Sequence, residues 1–173
     1  ITRRATWKLQ EPQVLKLMLI DLKRAFFHAK IRSDIWVQPP HLKGIGKCWK
    51  LKKAMYGTVS AAGDFQAEFS EEMIASPEFD QGLTTPCVFR VDARELDVCV
   101  HGDDIIPVGT DAQLKWFREA LQKHFELITK FCIGPDADDD KHGSVLNRLL
   151  TWVDGVGIEC EPDPRHVDLI VAE

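Results

Sequence analysis

Three aspartates could do chemistry in this sequence. Asp103 and Asp104 are adjacent within Leu96-Asp97-Val98-Cys99-Val100-His101-Gly102-Asp103-Asp104-Ile105-Ile106-Pro107-Val108-Gly109. Two short β-branched runs, 98–100 and 105–108, hinge there at His101-Gly102-Asp103, which predicts a tight hairpin. Neighbouring carboxylates at a hairpin tip between apolar strands are costly unless a cation meets them. Hard carboxylate oxygens suit Mg²⁺; a solvated Asp-Asp turn is the plainer alternative. The third aspartate, Asp21, stands where the apolar run 14–20 stops. That run predicts a strand buried on both faces, ending in a position often used for function. With the hairpin paired beside it, Asp21 and Asp103 would face one another across the strand ends. The three carboxylates would then form a site able to hold two metal ions about 4 Å apart.

The elements that must position these residues are legible in the flanking sequence. Residues 60–75 predict a helix, with Ser60 as its cap and Ala62, Phe65, Phe69 and Met73 on one face. Thr110-Asp111-Ala112-Gln113 is a capping box opening a second helix to about Phe125, with Leu114, Phe117, Leu121 and Phe125 as its buried stripe. Residues 125–131 return as a strand. The order strand, helix, strand, strand, helix is the split arrangement of ferredoxin-like folds, so the predicted class is α+β.

Ile35-Trp36-Val37 predicts an extended run stopped by Pro39-Pro40, and residues 48–51 a short strand. Gly44-Ile45-Gly46-Lys47 is a turn, too incomplete for a dinucleotide fingerprint. Residues 145–152 and 157–160 predict a hairpin around Asp154-Gly155, and Asp163 with Pro164 opens a final helix. The acidic run 136–140 does not fit a calcium loop: counted from Asp136, the sixth position is Lys141 and the twelfth Asn147. It predicts a solvated loop.

At 173 residues and 45% hydrophobic content, the chain can bury one sizeable core. The formal charge of −5 is unevenly spread. Residues 1–53 carry 13 Lys and Arg against Glu11, Asp21 and Asp34, a local charge of +10. A basic segment of that kind could track phosphates. Cys48, Cys87, Cys99, Cys132 and Cys160 are odd in number and widely spaced, which predicts reduced thiols in an intracellular, non-secreted protein. No apolar run approaches the roughly 20 residues of a membrane span.

Asp21-Leu22-Lys23-Arg24-Ala25-Phe26-Phe27-His28-Ala29 resembles the first palm motif of copia-type retroelement reverse transcriptases, an Asp followed by Ala-Phe at the fourth and fifth positions. The resemblance continues in order through Ile35-Trp36-Val37-Gln38-Pro39-Pro40, Leu51-Lys52-Lys53-Ala54-Met55-Tyr56-Gly57-Thr58 and Thr85-Pro86-Cys87-Val88-Phe89 to the Asp-Asp hairpin. Leu146-Asn147-Arg148-Leu149-Leu150-Thr151-Trp152 and Pro162-Asp163-Pro164-Arg165-His166 resemble the segment leading towards the thumb.

The resemblance implies a ferredoxin-like polymerase palm over residues 1–173, with the fingers truncated and the thumb beginning at about 144–173. It implies RNA-directed DNA polymerase activity within a retrotransposon polyprotein that also carries integrase and ribonuclease H. Its partners would be an RNA or DNA template-primer and deoxynucleoside triphosphates, with two Mg²⁺ or Mn²⁺ ions as cofactors. By the same resemblance Asp21, Asp103 and Asp104 are the catalytic, metal-holding carboxylates. Arg24, Ala25 and Phe26 would meet the nucleotide, with Tyr56 and Gly57 beside it, and Phe26 stands where the family excludes a ribose 2′-hydroxyl, although the sequence alone favours reading it as a core Phe.

Four residues depart from the family. Val59 stands where a cation is usual, Ala62 where Pro is frequent, and His101-Gly102 where an aromatic and a small residue are common. Val59, the truncated fingers and the end of the sequence where a thumb would begin leave a degenerate remnant with weak nucleic-acid binding as the alternative, which the intact acidic trio opposes. A metal-dependent nuclease would call for a His or Glu base beside the metals.

Overall fold

The computed structural model describes residues 14–161 except Pro77. Its spine is β1 (Lys16–Leu22), which pairs antiparallel with a strand on each side. The strand runs through Asp21 to Leu22 instead of stopping at Asp21, because backbone pairing continues whatever the side chain. The short helix α1 (Ala25–His28) follows, and then a two-stranded ribbon of β2 (Trp36–Val37) and β3 (Trp49–Lys50). Helix α2 (Ala61–Ala75) leads to β4 (Asp80–Gln81) and β5 (Val88–Val91), neither of which the sequence pattern announces. The hairpin is β6 (Leu96–His101) and β7 (Asp104–Gly109), followed by α3 (Asp111–Gln122) and β8 (Leu127–Ile133).

These strands form a six-stranded sheet in the order β4-β5-β6-β7-β1-β8, antiparallel at every pairing. The fold is therefore α+β. A second sheet of β9 (His142–Val145), β10 (Arg148–Val153) and β11 (Gly157–Glu161) lies beyond. The expected single run 145–152 is broken by Leu146 and Asn147, both at positive φ (51° and 62°). These two residues turn the chain between β9 and β10, where Val145 pairs with Arg148.

Side chains alternate along a strand, so the main sheet serves two cores. Ile20, Leu22, Val98, Val100 and Ile105 join Phe65 and Phe69 of α2 with Leu114, Phe117 and Leu121 of α3. The alternate residues Leu19 and Ile133 cluster with Val145 and Leu150 of the second sheet, against which Ile106 and Phe131 pack. The buried stripe of α2 begins at Ala61 and not at Ala62, which is exposed. Ser60 sits at its N-cap without a side-chain capping bond. The capping box of α3 is present in both directions, Thr110 with Gln113. That helix ends at Gln122, leaving Phe125 beyond it, half-buried against the core.

The acidic run 136–140 is more than a solvated loop. Lys16, with a side chain 6% exposed, places its Nζ 2.8 Å from Asp111, 2.7 Å from Asp136 and 2.9 Å from Asp139. Burial works against this charge, but the three hydrogen-bonded carboxylates outweigh it and hold the Lys16 pKa above its ordinary value. All five cysteines are free thiols. No helix among the described residues is long and apolar enough to cross a membrane. The predicted helix at Asp163 and the basic residues 1–10 lie outside the described residues.

Candidate active site

The hairpin is as tight as its sequence demands. His101 pairs with Asp104, leaving Gly102 and Asp103 as the two turn residues. Gly102 has φ +61°, the left-handed geometry that two-residue hairpins need at the first turn position and that glycine adopts without strain. His101 belongs to the strand and is exposed.

Docking β7 beside β1 brings the carboxylates together. Ile20 pairs with Ile105 and Asp21 with Asp104. Cross-strand partners share a face, so Asp21 and Asp104 project on the same side as Leu19 and Ile106, away from the helices. The direct partner of Asp21 is thus Asp104, whereas spacing alone suggests Asp103. Asp103 sits one residue further, in the turn, where its carbonyl accepts the Leu22 N–H at 3.1 Å.

Burial pushes the Asp104 carboxyl above its usual pKa. Lys130 pulls it down, the charges of Asp103 and Asp21 push it up again, and His101 pulls it down. Those effects identify a shared patch of negative potential.

A residue that sequence reasoning missed completes the patch. Lys130 Nζ lies 2.9 Å from Asp21 Oδ1. Along the β1–β8 ladder, Leu19 pairs with Phe131 and Ile20 with Thr129, so Lys130 is the extra residue of a β-bulge. The hydrogen bond to Asp21 is the main cause raising the Lys130 pKa. Exposure to less water opposes it, and the charges of Asp21, Asp104 and Asp103 add to it. A lone Lys in a strand gives no signal in sequence, because register decides what it meets. Among the described residues no group of three His, Cys, Asp or Glu side chains is arranged to hold a metal ion. The donor set nevertheless fits a hard divalent cation in kind: three carboxylates, two of them on paired strands, already draw in one positive charge.

The expected nucleotide-contacting residues come together from two separate stretches. The Phe26 ring lies 4.4 Å from that of Tyr56 and 6.0 Å from that of Phe65. Phe27 meets Tyr56 edge-on at 5.6 Å. Phe26 is half-buried and Ala25 fully buried, while Arg24 turns the chain at φ 55° before α1. Gly57 has φ +89°, which favours glycine there. Val59 is fully exposed.

Beside these residues, an open cleft is lined by Lys30, Arg32, Ser33, Asp34, Lys50 and Lys52. Two of its cations are already paired, Arg32 with Glu71 at 2.7 Å and Lys50 with Asp34 at 2.6 Å. On the adjoining ribbon Trp36 and Trp49 are 60% and 55% exposed. Lys50 lies over the Trp36 ring at 5.8 Å. The ribbon thus presents two exposed indoles beside a lysine.

A family described as reverse transcriptase (RNA-dependent DNA polymerase) matches residues 9–133. The transposon Ty1-NL2 Gag-Pol polyprotein of Saccharomyces cerevisiae is 25% identical over 135 residues, 77% of this chain and 8% of the polyprotein. The truncated transposon Ty1-A Gag-Pol polyprotein of the same yeast is 25% identical over 138 residues, 79% of this chain and 11% of the polyprotein. The chain thus spans about a tenth of the length of these relatives.

Proposed function

This chain belongs to the reverse transcriptase (RNA-dependent DNA polymerase) family and resembles its copia-type members, and from that premise we propose that it is the palm of an RNA-directed DNA polymerase within a retrotransposon polyprotein. The observation that carries this reading is the register Asp21↔Asp104, with Asp103 in the adjoining turn. The order β8-β1-β7-β6, with α2 and α3 as the intervening helices, supports a ferredoxin-like palm.

The reaction is attack of a primer 3′-hydroxyl on the α-phosphate of a deoxynucleoside triphosphate. Asp21, Asp103 and Asp104 would hold Mg²⁺ or Mn²⁺. When bound, two such ions would ease loss of the hydroxyl proton and neutralise charge on the leaving pyrophosphate. Backbone N–H groups of Arg24 to Phe26 meet the triphosphate. The Phe26 ring, held by Tyr56 and Phe65, occupies the space a ribose 2′-hydroxyl would need. The basic cleft, with Trp36 and Trp49, takes the template-primer through phosphate contacts and base stacking. Integrase and ribonuclease H segments would be its neighbours, as expected for a relative of Gag-Pol polyproteins.

A second reading is a remnant that binds nucleic acid without turnover. It is favoured by fully exposed Val59 at the position where the family carries a cation.

RNA-templated primer extension with Mg²⁺ at low salt by the chain fused to fingers and thumb segments, beside a binding titration at several salt concentrations, separates the two. Asp103→Asn should lower extension by about 100-fold or more and leave primer–template binding intact. Equal extension by both proteins refutes the carboxylate site. Salt-sensitive binding with no extension by either establishes the remnant.

A further inference from the structure

Lys130 presents an ammonium where the reading above, on which this inference rests, would bring a divalent ion. Its placement is not incidental to the strand. An extra residue in β8 opposite Leu19 and Ile20 re-aims the side chain, and Nζ comes to rest 2.9 Å from Asp21 Oδ1. Among the described residues this is the ion pair that any of the three aspartates makes. We propose that Lys130 is the resident counter-ion of the carboxylate site, and that a divalent ion must displace its ammonium from Asp21 in order to bind.

Three carboxylates gathered without a cation repel one another, and a single ammonium on Asp21 relieves part of that repulsion. A second cation brought to Asp21 meets the first at close range, where like charges oppose each other. The Lys130 side chain is 47% exposed and that of Asp21 25%, so the ammonium can swing into water on a long flexible stem. Lys130 therefore sets the metal concentration at which the site fills, without being a metal ligand or part of the chemistry. A pair this exposed alters an equilibrium by at most about fivefold, and salt screens the effect.

Mn²⁺ titration of the 173-residue chain, followed by the loss of the free-ion paramagnetic resonance signal, tests this with no polymerase readout. Lys130→Gln should bind Mn²⁺ about fivefold more tightly than the unaltered chain at low salt. Lys130→Arg, which keeps the charge, should bind as the unaltered chain does. The Lys130→Gln advantage should shrink as salt rises. Equal affinities for the unaltered chain and Lys130→Gln, with binding lost in Asp21→Asn/Asp103→Asn, would overturn the counter-ion role and leave the metal site standing. Absence of Mn²⁺ binding in every protein would overturn the metal site, and the counter-ion role with it.

Discussion

Replacing Lys16 by Met should destabilise this domain more than most changes at its surface. The Lys16 ammonium is 6% exposed and ties three distant segments together: β1, the first turn of α3 through Asp111, and the loop at Asp136 and Asp139. Met retains most of the aliphatic packing, so the substitution isolates the charge. The partners divide by exposure. Asp111 and Asp136 are 68% and 63% exposed and can turn to water. Asp139 is 10% exposed, and its remaining support is the Asp136 N–H at 2.9 Å.

Removing one member of a buried ion pair costs about 3–5 kcal/mol. With two partners free to hydrate, about 3 kcal/mol is expected, a large share of the roughly 5–15 kcal/mol that holds a domain folded. For a chain of this size that corresponds to a fall of about 6–12 °C in melting temperature. Asp111→Asn and Asp136→Asn should each cost less than about 1 kcal/mol, and Asp139→Asn should approach the Lys16 value. Urea unfolding followed by circular dichroism measures all four. A Lys16→Met loss below about 1 kcal/mol, or equal losses at Asp111 and Asp139, would refute the claim that burial decides the energetics.

The pH dependence of Asp104 has a definite sign. Burial, Asp103 and Asp21 raise its folded pKa above the ordinary carboxylate value, so its favourable contribution is present below that ordinary value and lost as pH rises through the folded one. Asp104→Asn should therefore be more stable than the unaltered chain at pH 7, and the difference should vanish on acidification; urea unfolding across that range checks it. Mn²⁺ at about tenfold above its Kd should raise the melting temperature by about 3–6 °C, and Asp21→Asn/Asp103→Asn should abolish the rise. An equal rise in both proteins would exclude the three-carboxylate site. In the chain fused to fingers and thumb segments, Phe26→Val should increase ribonucleotide over deoxyribonucleotide incorporation by about tenfold or more. Loss of folding with an unchanged ratio would make Phe26 a packing residue of the Tyr56–Phe65 cluster.

Much of this architecture is written locally. The Gly102-Asp103 turn, the capping box of Thr110 and Gln113, the stripes of α2 and α3, and the apolar run leading to Asp21 each depend on residues a few positions apart. Period and turn chemistry report such features directly. The ordered motifs from Asp21 to Asp104 likewise carry the family.

Tertiary structure alone decided which aspartate faces which. A register shift of one residue separates Asp21↔Asp104 from Asp21↔Asp103, and the docking that buries Ile20 and Ile105 on one face selects the first, since the shift would set Ile20 opposite Asp104. It also decided that Lys130 reaches Asp21, because a β-bulge leaves no mark in the sequence, and that Lys16 meets Asp139 across 123 positions. β4, β5 and β9 are not announced for a related reason: strands of two to four residues show no period, and they lack a local stop such as the Pro39-Pro40 that marks β2. Their existence depends on the neighbour that supplies their hydrogen bonds. Local spacing specifies elements, whereas charge pairing depends on how those elements are docked, and in this protein the second sets the electrostatics of the candidate site.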